Sequence, residues 1–553
     1  MKNKNKKILV CAAWPYANGS LHLGHVAALI GSDIVARYYR QKGDDVLFVS
    51  GSDCHGTPIA VEAMKQKKDP KEISDFYHNE FVESLINGFK FTYDLYGKTS
   101  DEYHKKEVQK IFLDLHEKGF LYEKDEELPY CKTCDRFLPD RYIEGECPHC
   151  GFESARGDQC DNCGKLMDVK LLVNPKCKTC DSSPEWKTTK HFFLKLSAFQ
   201  NDLIKFVDQK KANWRPNAVN FTLNYLKDGL HDRAITRDTD WGVEIPLPGF
   251  EDKRIYVWFE AVCGYLTASK KWAEESGDKD AWKPFWSGDE AVSYYVHGKD
   301  NIPFHTIIWP AILSALGGYN LPDNIVSSEY LNLENKQFSK SRKWAVWVPA
   351  ILKKFDSDSV RYHLVVSGPE TSDSSFLWKE FQTRHNSELI GAFGNFVHRV
   401  FSLVEKNFDG KVSGKVDVVK DPLLKNVKEL YGSVGESIEK SKYRQAVKSI
   451  MKIVDQANQD INDQAPWKKL KDGDKDGAEV DLYRYLQVIN NLRVLLAPFI
   501  PDACEKIGKT LGEDDISWEY KDKIKNINIQ EPVPLFKRIE DEEIDVELVE
   551  LKG

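Results

Sequence analysis

The sequence predicts an α/β fold: a doubly wound parallel sheet, split by an insertion and followed by a C-terminal α-helical bundle. Three observations carry this. Short, continuously apolar runs alternate with helical stretches through the first part of the chain, as strands buried on both faces require. A cysteine-rich block from residue 131 to residue 180 interrupts that alternation, and strand-like runs resume after it. Beyond about Glu380 the apolar residues recur at helical spacing.

In order, residues 8–13 read as the first strand and residues 46–49 as a second, ending at Gly51-Ser52-Asp53. Ligands of parallel sheets collect at the carboxyl ends of strands, which is where this places Asp53. Residues 255–259 and 292–296 are the strand-like runs that return after the cysteines. Further on, Leu389, Ile390, Phe393, Phe396, Val397, Val400, Phe401 and Val404 trace one helical stripe. Two more stripes run from Leu423 to Ile438 and from Leu482 to Leu492, which a helical bundle accounts for. The divisions expected are 1–117 and 225–322 for the two halves of the sheet domain and 118–224 for the insertion. Residues 323–385 then form a loop and connection, 386–535 the bundle, and 536–553 an acidic, solvated tail.

At 553 residues, with 41% apolar and 30% charged residues, the chain is long enough for three or four domains of ordinary soluble composition. The formal charge of −8 does not advertise a nucleic-acid binder, but the acidic run 540–543 biases the sum, and binding needs only a local basic face. Basic residues 2–7 are followed by no long apolar segment, and no run approaches the roughly 20 apolar residues of a membrane span. A cytoplasmic protein is expected. In that reducing setting the twelve cysteines should be metal ligands or buried thiols, not disulfides.

Four C-x-x-C pairs stand in order: Cys131/Cys134, Cys147/Cys150, Cys160/Cys163 and Cys177/Cys180. Pro148, Gly151 and Gly164 suit tight turns beside them. Eight thiolates make two tetrahedral four-cysteine sites, closed and therefore structural, with Zn²⁺ as the expected ion. The short gap between Cys150 and Cys160 favours Cys147, Cys150, Cys160 and Cys163 closing a first site. Cys131, Cys134, Cys177 and Cys180 would then close a second, although sequential pairing remains open.

The tetrapeptide His22-Leu23-Gly24-His25 follows the first strand and opens a helical segment. A strand, a glycine turn and a helix N-terminus make an anion site, because free backbone N–H groups and the helix dipole face the ligand. Far downstream stands Gln337-Phe338-Ser339-Lys340-Ser341. The pair resembles the HIGH and KMSKS motifs of class I aminoacyl-tRNA synthetases, and the chain from Ile8 to about Ile539 resembles the methionine-specific family among them. Departures are Gln337 and Phe338, where the motif has lysine and methionine, and Val262, where many members have proline.

The resemblance implies a Rossmann-like catalytic sheet and an ATP-dependent methionine–tRNA ligase. Such an enzyme makes methionyl-adenylate and pyrophosphate, then esterifies the 3′ end of tRNA(Met), elongator and initiator alike. Mg²⁺ accompanies the ATP, and the zinc-bearing insertion takes a form found in one subgroup. His22, His25 and Lys340 are the implied catalytic groups, binding phosphoryl charge best in the transition state. Gly24, Gly298 and Asp300 complete the ATP site, the last accepting from ribose hydroxyls. The implied methionine pocket is Ala13, Tyr16, Asp53, Trp258, Ala261, Tyr265, Phe304, His305 and Trp309. Its aromatic walls suit a polarisable thioether, at roughly 0.3–1.5 kcal/mol per sulfur–ring contact, and Asp53 pairs with the substrate ammonium. Relatives selective for branched aliphatic amino acids need a large editing insertion, and the insertion here is short. Asn395, Arg399, Pro466 and Trp467 are implied anticodon-binding residues, with residues 373–381 docking the tRNA stem. Many bacterial members carry a further C-terminal dimerisation domain that this sequence lacks, so a monomer is expected.

Overall fold

The computed structural model describes residues 5–138, 142–157, 160, 162–163, 167–339, 343–414, 420–524, 527–530, 532 and 534–551. Lys340 lies outside the described residues.

Five parallel strands form the central sheet, in the order Asn324–Ser328, Ala291–Gly298, Lys7–Ala12, Asp45–Ser52, Leu95–Lys98. Lys7–Ala12 is central, with Ala12 opposite Val296 on one side and Cys11 opposite Val49 on the other. Side chains of a strand alternate between faces, and here the alternation feeds two cores. Ile8, Val10, Ala12, Phe48 and Tyr294 pack towards the helix Leu23–Gln41, while Leu9, Cys11, Leu47, Val49 and Tyr295 pack towards Glu102–Glu117 and Val257–Glu275. Helices on both faces explain why these strands read as unbroken apolar runs.

One strand expected from sequence is not one. Of residues 255–259 only Ile255 belongs to a strand, the two-residue Arg254–Ile255, and a helix starts at Val257. Val257, Phe259, Glu260, Val262 and Cys263 are all buried in it. Its β-branched and aromatic start reflects this burial, which overrides local strand propensity.

The insertion is an arm. Strand Leu121–Cys131 pairs antiparallel with Glu185–Leu194 from Leu121↔Leu194 to Tyr130↔Glu185, delivering Cys131 to the far end. Beyond it a three-stranded sheet of Ile143–Glu146, Ala155–Arg156 and Val173–Cys177 surrounds a core of few residues, four of them cysteines. Val61 of the helix Thr57–Gln66, which begins just past Asp53, packs against that core.

The C-terminal part is the expected bundle, built from Asn395–Phe408, Pro422–Glu439, Tyr443–Gln464, Lys475–Leu496 and Pro501–Leu511. From Asp481 to Leu496 the fourth of these helices is buried on every side. The stripe beginning at Leu389 starts in a π-helical stretch, His385–Gly394, before becoming α-helical. Arg361, wholly buried, staples the bundle to the sheet domain. It pairs with Asp33 at 2.7 Å and donates to the carbonyls of Phe89, Phe499 and Pro498.

The acidic end is not a solvated tail. Asp541–Glu550 is a helix with Ile544 buried, docked on the helix Trp378–Arg384. Gln382 donates to the Ile539 carbonyl and to Asp541, Lys379 pairs with Asp541 and Asp545, and Lys354 pairs with Glu547. Lysines on the receiving face meet the acidic run, so its charge serves docking.

Candidate functional site

His22 is the N-cap of the helix Leu23–Gln41, in extended conformation. The Gly24 N–H donates to His22 Nδ1 at 3.2 Å, and the His22 N–H donates to His25 Nδ1 at 3.1 Å. This is a reciprocal capping box made by two imidazoles. Because each Nδ1 accepts, each ring carries its hydrogen on Nε2 and is a neutral donor there.

The second motif's segment is bound to the first by its backbone. The Leu23 N–H donates to the Val346 carbonyl at 3.1 Å, and the Val348 N–H to the Leu21 carbonyl at 2.8 Å. Phe338 stacks on His22, with centroids 4.6 Å apart and planes 5° from parallel. Lys336 lies over the Trp344 ring at 4.9 Å, and the Gln337 side chain is exposed.

At the end of strand Ala291–Gly298, Asp300 accepts from the Tyr330 hydroxyl, and Lys299 pairs with Glu329 and Asp373, both at 2.8 Å. A Cβ built on Gly298 would meet nothing closer than Ala28 Cβ at 3.9 Å, so packing within the protein does not demand glycine here.

Three strand and helix ends converge on an aromatic recess. Trp258 Nε1 donates to the Tyr16 hydroxyl, and Phe304 meets Trp258 edge-on at 4.6 Å. Phe304 and His305 lie on a π-helical turn, Phe304–Ile308, of the kind often found at functional sites. His305 Nδ1 donates to the Asn301 carbonyl at 2.8 Å, so its Nε2 accepts from the Tyr265 hydroxyl at 2.8 Å. Burial pushes His305 down to about 4 and holds the Tyr265 phenol well above its ordinary value. His297 stacks on His305 at 4.1 Å and is also held low, by burial and then by that neighbour. Ala13 is nearly buried and Ala261 half-buried beside them. Trp309 is wholly buried, donating to the Tyr295 hydroxyl at 3.1 Å and crossing Trp286 at 6.0 Å, so it stands in the core behind the recess.

Asp53 is buried under the chain at Tyr16, through bonds from the Asp53 N–H to the Pro15 carbonyl and from the Ala17 N–H to the Asp53 carbonyl. Burial first, and then the negative charge of Glu260, drive its carboxyl well above the usual range. Glu260 is held low despite its own burial, because His55 lies at 2.9 Å and His104 at 3.5 Å.

Sequence reasoning missed this Glu260–His55–His104 network and missed Arg237. The Arg237 guanidinium lies 3.9 Å over the Tyr256 ring and lines a cavity of about 1090 Å³ together with Trp258, Phe304, Lys299 and Asp300. Nothing in its local sequence marks it, whereas the alternation of charge and apolar residues around Glu260 on a helix would have shown a charge facing inward.

The cysteines settle into the nested arrangement. Cys131, Cys134, Cys177 and Cys180 form one group and Cys147, Cys150, Cys160 and Cys163 the other, with sulfurs within 4.8 Å of one another. Sulfur pairs are 3.4 and 3.9 Å apart in the first and 3.9 and 3.6 Å in the second. A tetrahedron of Zn–S bonds has edges of about 3.8 Å, so both groups fit a zinc ion. Gly151, at φ 71°, makes the left-handed turn that closes a knuckle.

At the far end of the bundle, Ala465 ends the helix Tyr443–Gln464 in left-handed conformation, and buried Pro466 opens the next. That corner carries Trp467 to within 5.5 Å of the Arg399 guanidinium, which donates to Asn462 at 2.8 Å. Asn395 is exposed one turn before Arg399 on the same helix.

Two family models match the chain: tRNA synthetases class I (M) over residues 8–401, and the anticodon binding domain of methionyl tRNA ligase over residues 412–549. The methionine–tRNA ligases of Bacillus mycoides (strain KBAB4) and Bacillus cereus (strain B4264) are each 48% identical to it over 549 residues, 99% of either chain. Among solved structures it is similar to a Mycobacterium tuberculosis methionyl-tRNA synthetase in complex with methionyl-adenylate. That likeness has a TM-score of 0.80 at 24% identity, covers 96% of this chain and 100% of the other, and speaks for the fold.

Proposed function

The chain belongs to the class I methionyl-tRNA synthetases, and from that premise we propose how its residues divide the work. It activates methionine with ATP and transfers the methionyl group to tRNA(Met). The observation that carries the assignment of residues is the double-histidine cap, tied by backbone bonds to the second motif and set beside an aromatic recess.

In the first step a carboxylate oxygen of methionine bonds to the α-phosphorus of ATP and pyrophosphate leaves. Charge grows on the phosphoryl oxygens, where donors contribute most. His22 and His25 supply them from Nε2, Lys340 adds an ammonium, and the N-terminus of the helix Leu23–Gln41 adds its dipole. Asp300 accepts from the ribose, and Gly24 and Gly298 let the nucleotide approach the backbone. Mg²⁺ would accompany ATP and neutralise part of the charge on its phosphates. The donors of the motif pair are N–H groups, and among the described residues the groups able to hold a metal are the two cysteine sets.

Asp53 binds the methionine ammonium, which provides the cation that a buried carboxylate lacks. Tyr16, Trp258 and Phe304 wall the side chain, with Ala13 and Ala261 leaving room for it. Tyr265 and His305 satisfy each other behind the thioether, and Trp309 stiffens that wall from the core. In the second step a hydroxyl of the terminal adenosine attacks the carbonyl carbon and AMP leaves. Arg399, Asn395, Pro466 and Trp467 form the anticodon platform, on which an unpaired base stacks. One CAU-reading surface serves initiator and elongator tRNA alike.

The zinc ions hold the arm together and take no part in either step. We take the protein to act as a monomer in the cytoplasm. Among the described residues no helix is long and apolar enough to cross a membrane. Pyrophosphate exchange into ATP, run with each of the twenty amino acids, tests the assignment. Exchange with methionine alone is expected, lost on His25→Ala and Asp53→Asn. Full exchange in those variants would refute the roles of His25 and Asp53.

A further inference from the structure

The second motif departs from the family pattern at two adjacent positions, and the structure treats them differently. The Gln337 side chain is exposed, whereas Phe338 turns inward and is half-buried. Its ring lies parallel to His22, at 4.6 Å and 5°. His22 is thereby enclosed, with His25 at 3.9 Å and the edge of Trp347 at 6.3 Å. A Cβ added at Gly24 would press on His22 Cε1 and Nδ1 at 3.0 Å and reach Phe338 Cδ2 at 3.6 Å, so glycine in the first motif makes space for this enclosure.

The neighbours of Phe338 are fixed as well. Ser339 and Trp344 exchange backbone hydrogen bonds of 2.9 and 3.0 Å. Trp344 Nε1 donates to the Leu333 carbonyl at 3.0 Å. A hydrogen bond at Nδ1 does not by itself fix the plane of an imidazole. A parallel ring at stacking distance does, since stacked aromatic pairs attract one another beyond area burial.

We propose that Phe338 is a positioning residue for adenylation: by stacking on His22 it fixes the plane of the imidazole and sets the base of the second motif against the first. A displacement of about 1 Å in a phosphate donor is enough to lower the rate of a positioned reaction by orders of magnitude. Phe338 itself touches no reacting atom. The inference rests on the reading of His22 as a phosphate-binding group.

The test is a double-variant cycle in methionine-dependent pyrophosphate exchange, with His22→Ala, Phe338→Leu, their combination, and Phe338→Tyr. Leucine keeps an apolar side chain of similar bulk without a ring, and tyrosine keeps the ring. Phe338→Leu is expected to lower kcat by about tenfold, with the KM for methionine and the melting temperature unchanged. Phe338→Tyr should stay within about twofold of the parent. In the His22→Ala background the leucine change should cost less than about twofold, since its target is gone. Equal losses in both backgrounds would overturn the positioning role while leaving His22 in place. Failure of tyrosine to retain activity would overturn it too. Full exchange in His22→Ala would refute the phosphate reading of His22 and the role of Phe338 with it.

Discussion

Tyr265 donates its hydroxyl hydrogen to His305 Nε2 across 2.8 Å, at the back of the aromatic recess. The direction is fixed from the other side of the ring, where His305 Nδ1 donates to Asn301. Removing the hydroxyl strands a buried acceptor, which costs about 1–3 kcal/mol. Tyr265→Phe should therefore raise the KM for methionine about tenfold and leave the KM for ATP near its parent value. Steady-state exchange at saturating levels of the other substrate separates the two.

With Asp53 as the ammonium partner proposed above, methionine binding is expected to be proton-linked. Its carboxyl is raised well above the usual range by burial and by Glu260, so in the free protein it holds a proton where other aspartates do not. Binding the ammonium requires the carboxylate, so the proton leaves as methionine enters. Methionine affinity should rise with pH through the raised pKa and level off above it. Titration calorimetry in buffers of different ionisation enthalpy should count close to one proton released at the low end. An affinity independent of pH, with no proton released, would contradict the role of Asp53.

His363 makes the fold acid-labile. It is buried against Phe376 and Phe381, neither ring nitrogen has a hydrogen-bond partner among the described residues, and burial pushes it down to about 4. Between its unfolded value near 6.5 and about 4 the unfolded chain holds the extra proton. The favourable term is thus fully present above 6.5 and is lost as pH falls through that window. His363→Leu should flatten the decline of unfolding free energy between pH 6.5 and 4.5. Denaturant titrations at several pH values would show an unchanged slope if the histidine does not matter.

Nesting of the cysteine groups makes their loss unequal. The group Cys147, Cys150, Cys160 and Cys163 lies within the loop that Cys131, Cys134, Cys177 and Cys180 close. Cys147→Ser should lower bound zinc by one ion, whereas Cys131→Ser opens the base of the arm and should lower it by up to two. Metal analysis of the purified variants reads this directly. Because Val61, beyond Asp53, packs on the same small core, Cys131→Ser should also weaken methionine binding more than Cys147→Ser does.

Trp467→Ala removes the indole proposed above as the anticodon's stacking surface, and stacking is worth about 1–3 kcal/mol per base. Aminoacylation kcat/KM for tRNA should fall by about ten- to a hundredfold, and pyrophosphate exchange should not change. A parallel drop in exchange would place Trp467 in the core of the fold instead.

What the sequence disclosed follows from how local each signal is. Strands 8–13 and 46–49, the helix opening at the His22 tetrapeptide and the C-x-x-C pairs are each written within a few residues, and the structure has each within a few residues of that place. The helix starting at Val257 was hidden because β-branched and aromatic residues serve a buried helix as well as a strand. The docked helix Asp541–Glu550 was hidden because its partners Lys354, Lys379 and Gln382 lie more than 150 residues upstream. The stack of Phe338 on His22 joins positions 316 residues apart in the numbering, and the mutual satisfaction of Tyr265 and His305 depends on a third carbonyl. None of these has a periodicity to read.

Arg361 has the widest reach. Its guanidinium is committed to Asp33, Phe89, Pro498 and Phe499 at once, so parting the bundle from the sheet domain at this seam would leave a buried cation uncompensated, a cost of about 3–5 kcal/mol. Sheet domain and bundle are therefore joined through one shared guanidinium, and neither can shift at this seam without unmaking the other's bonds to it.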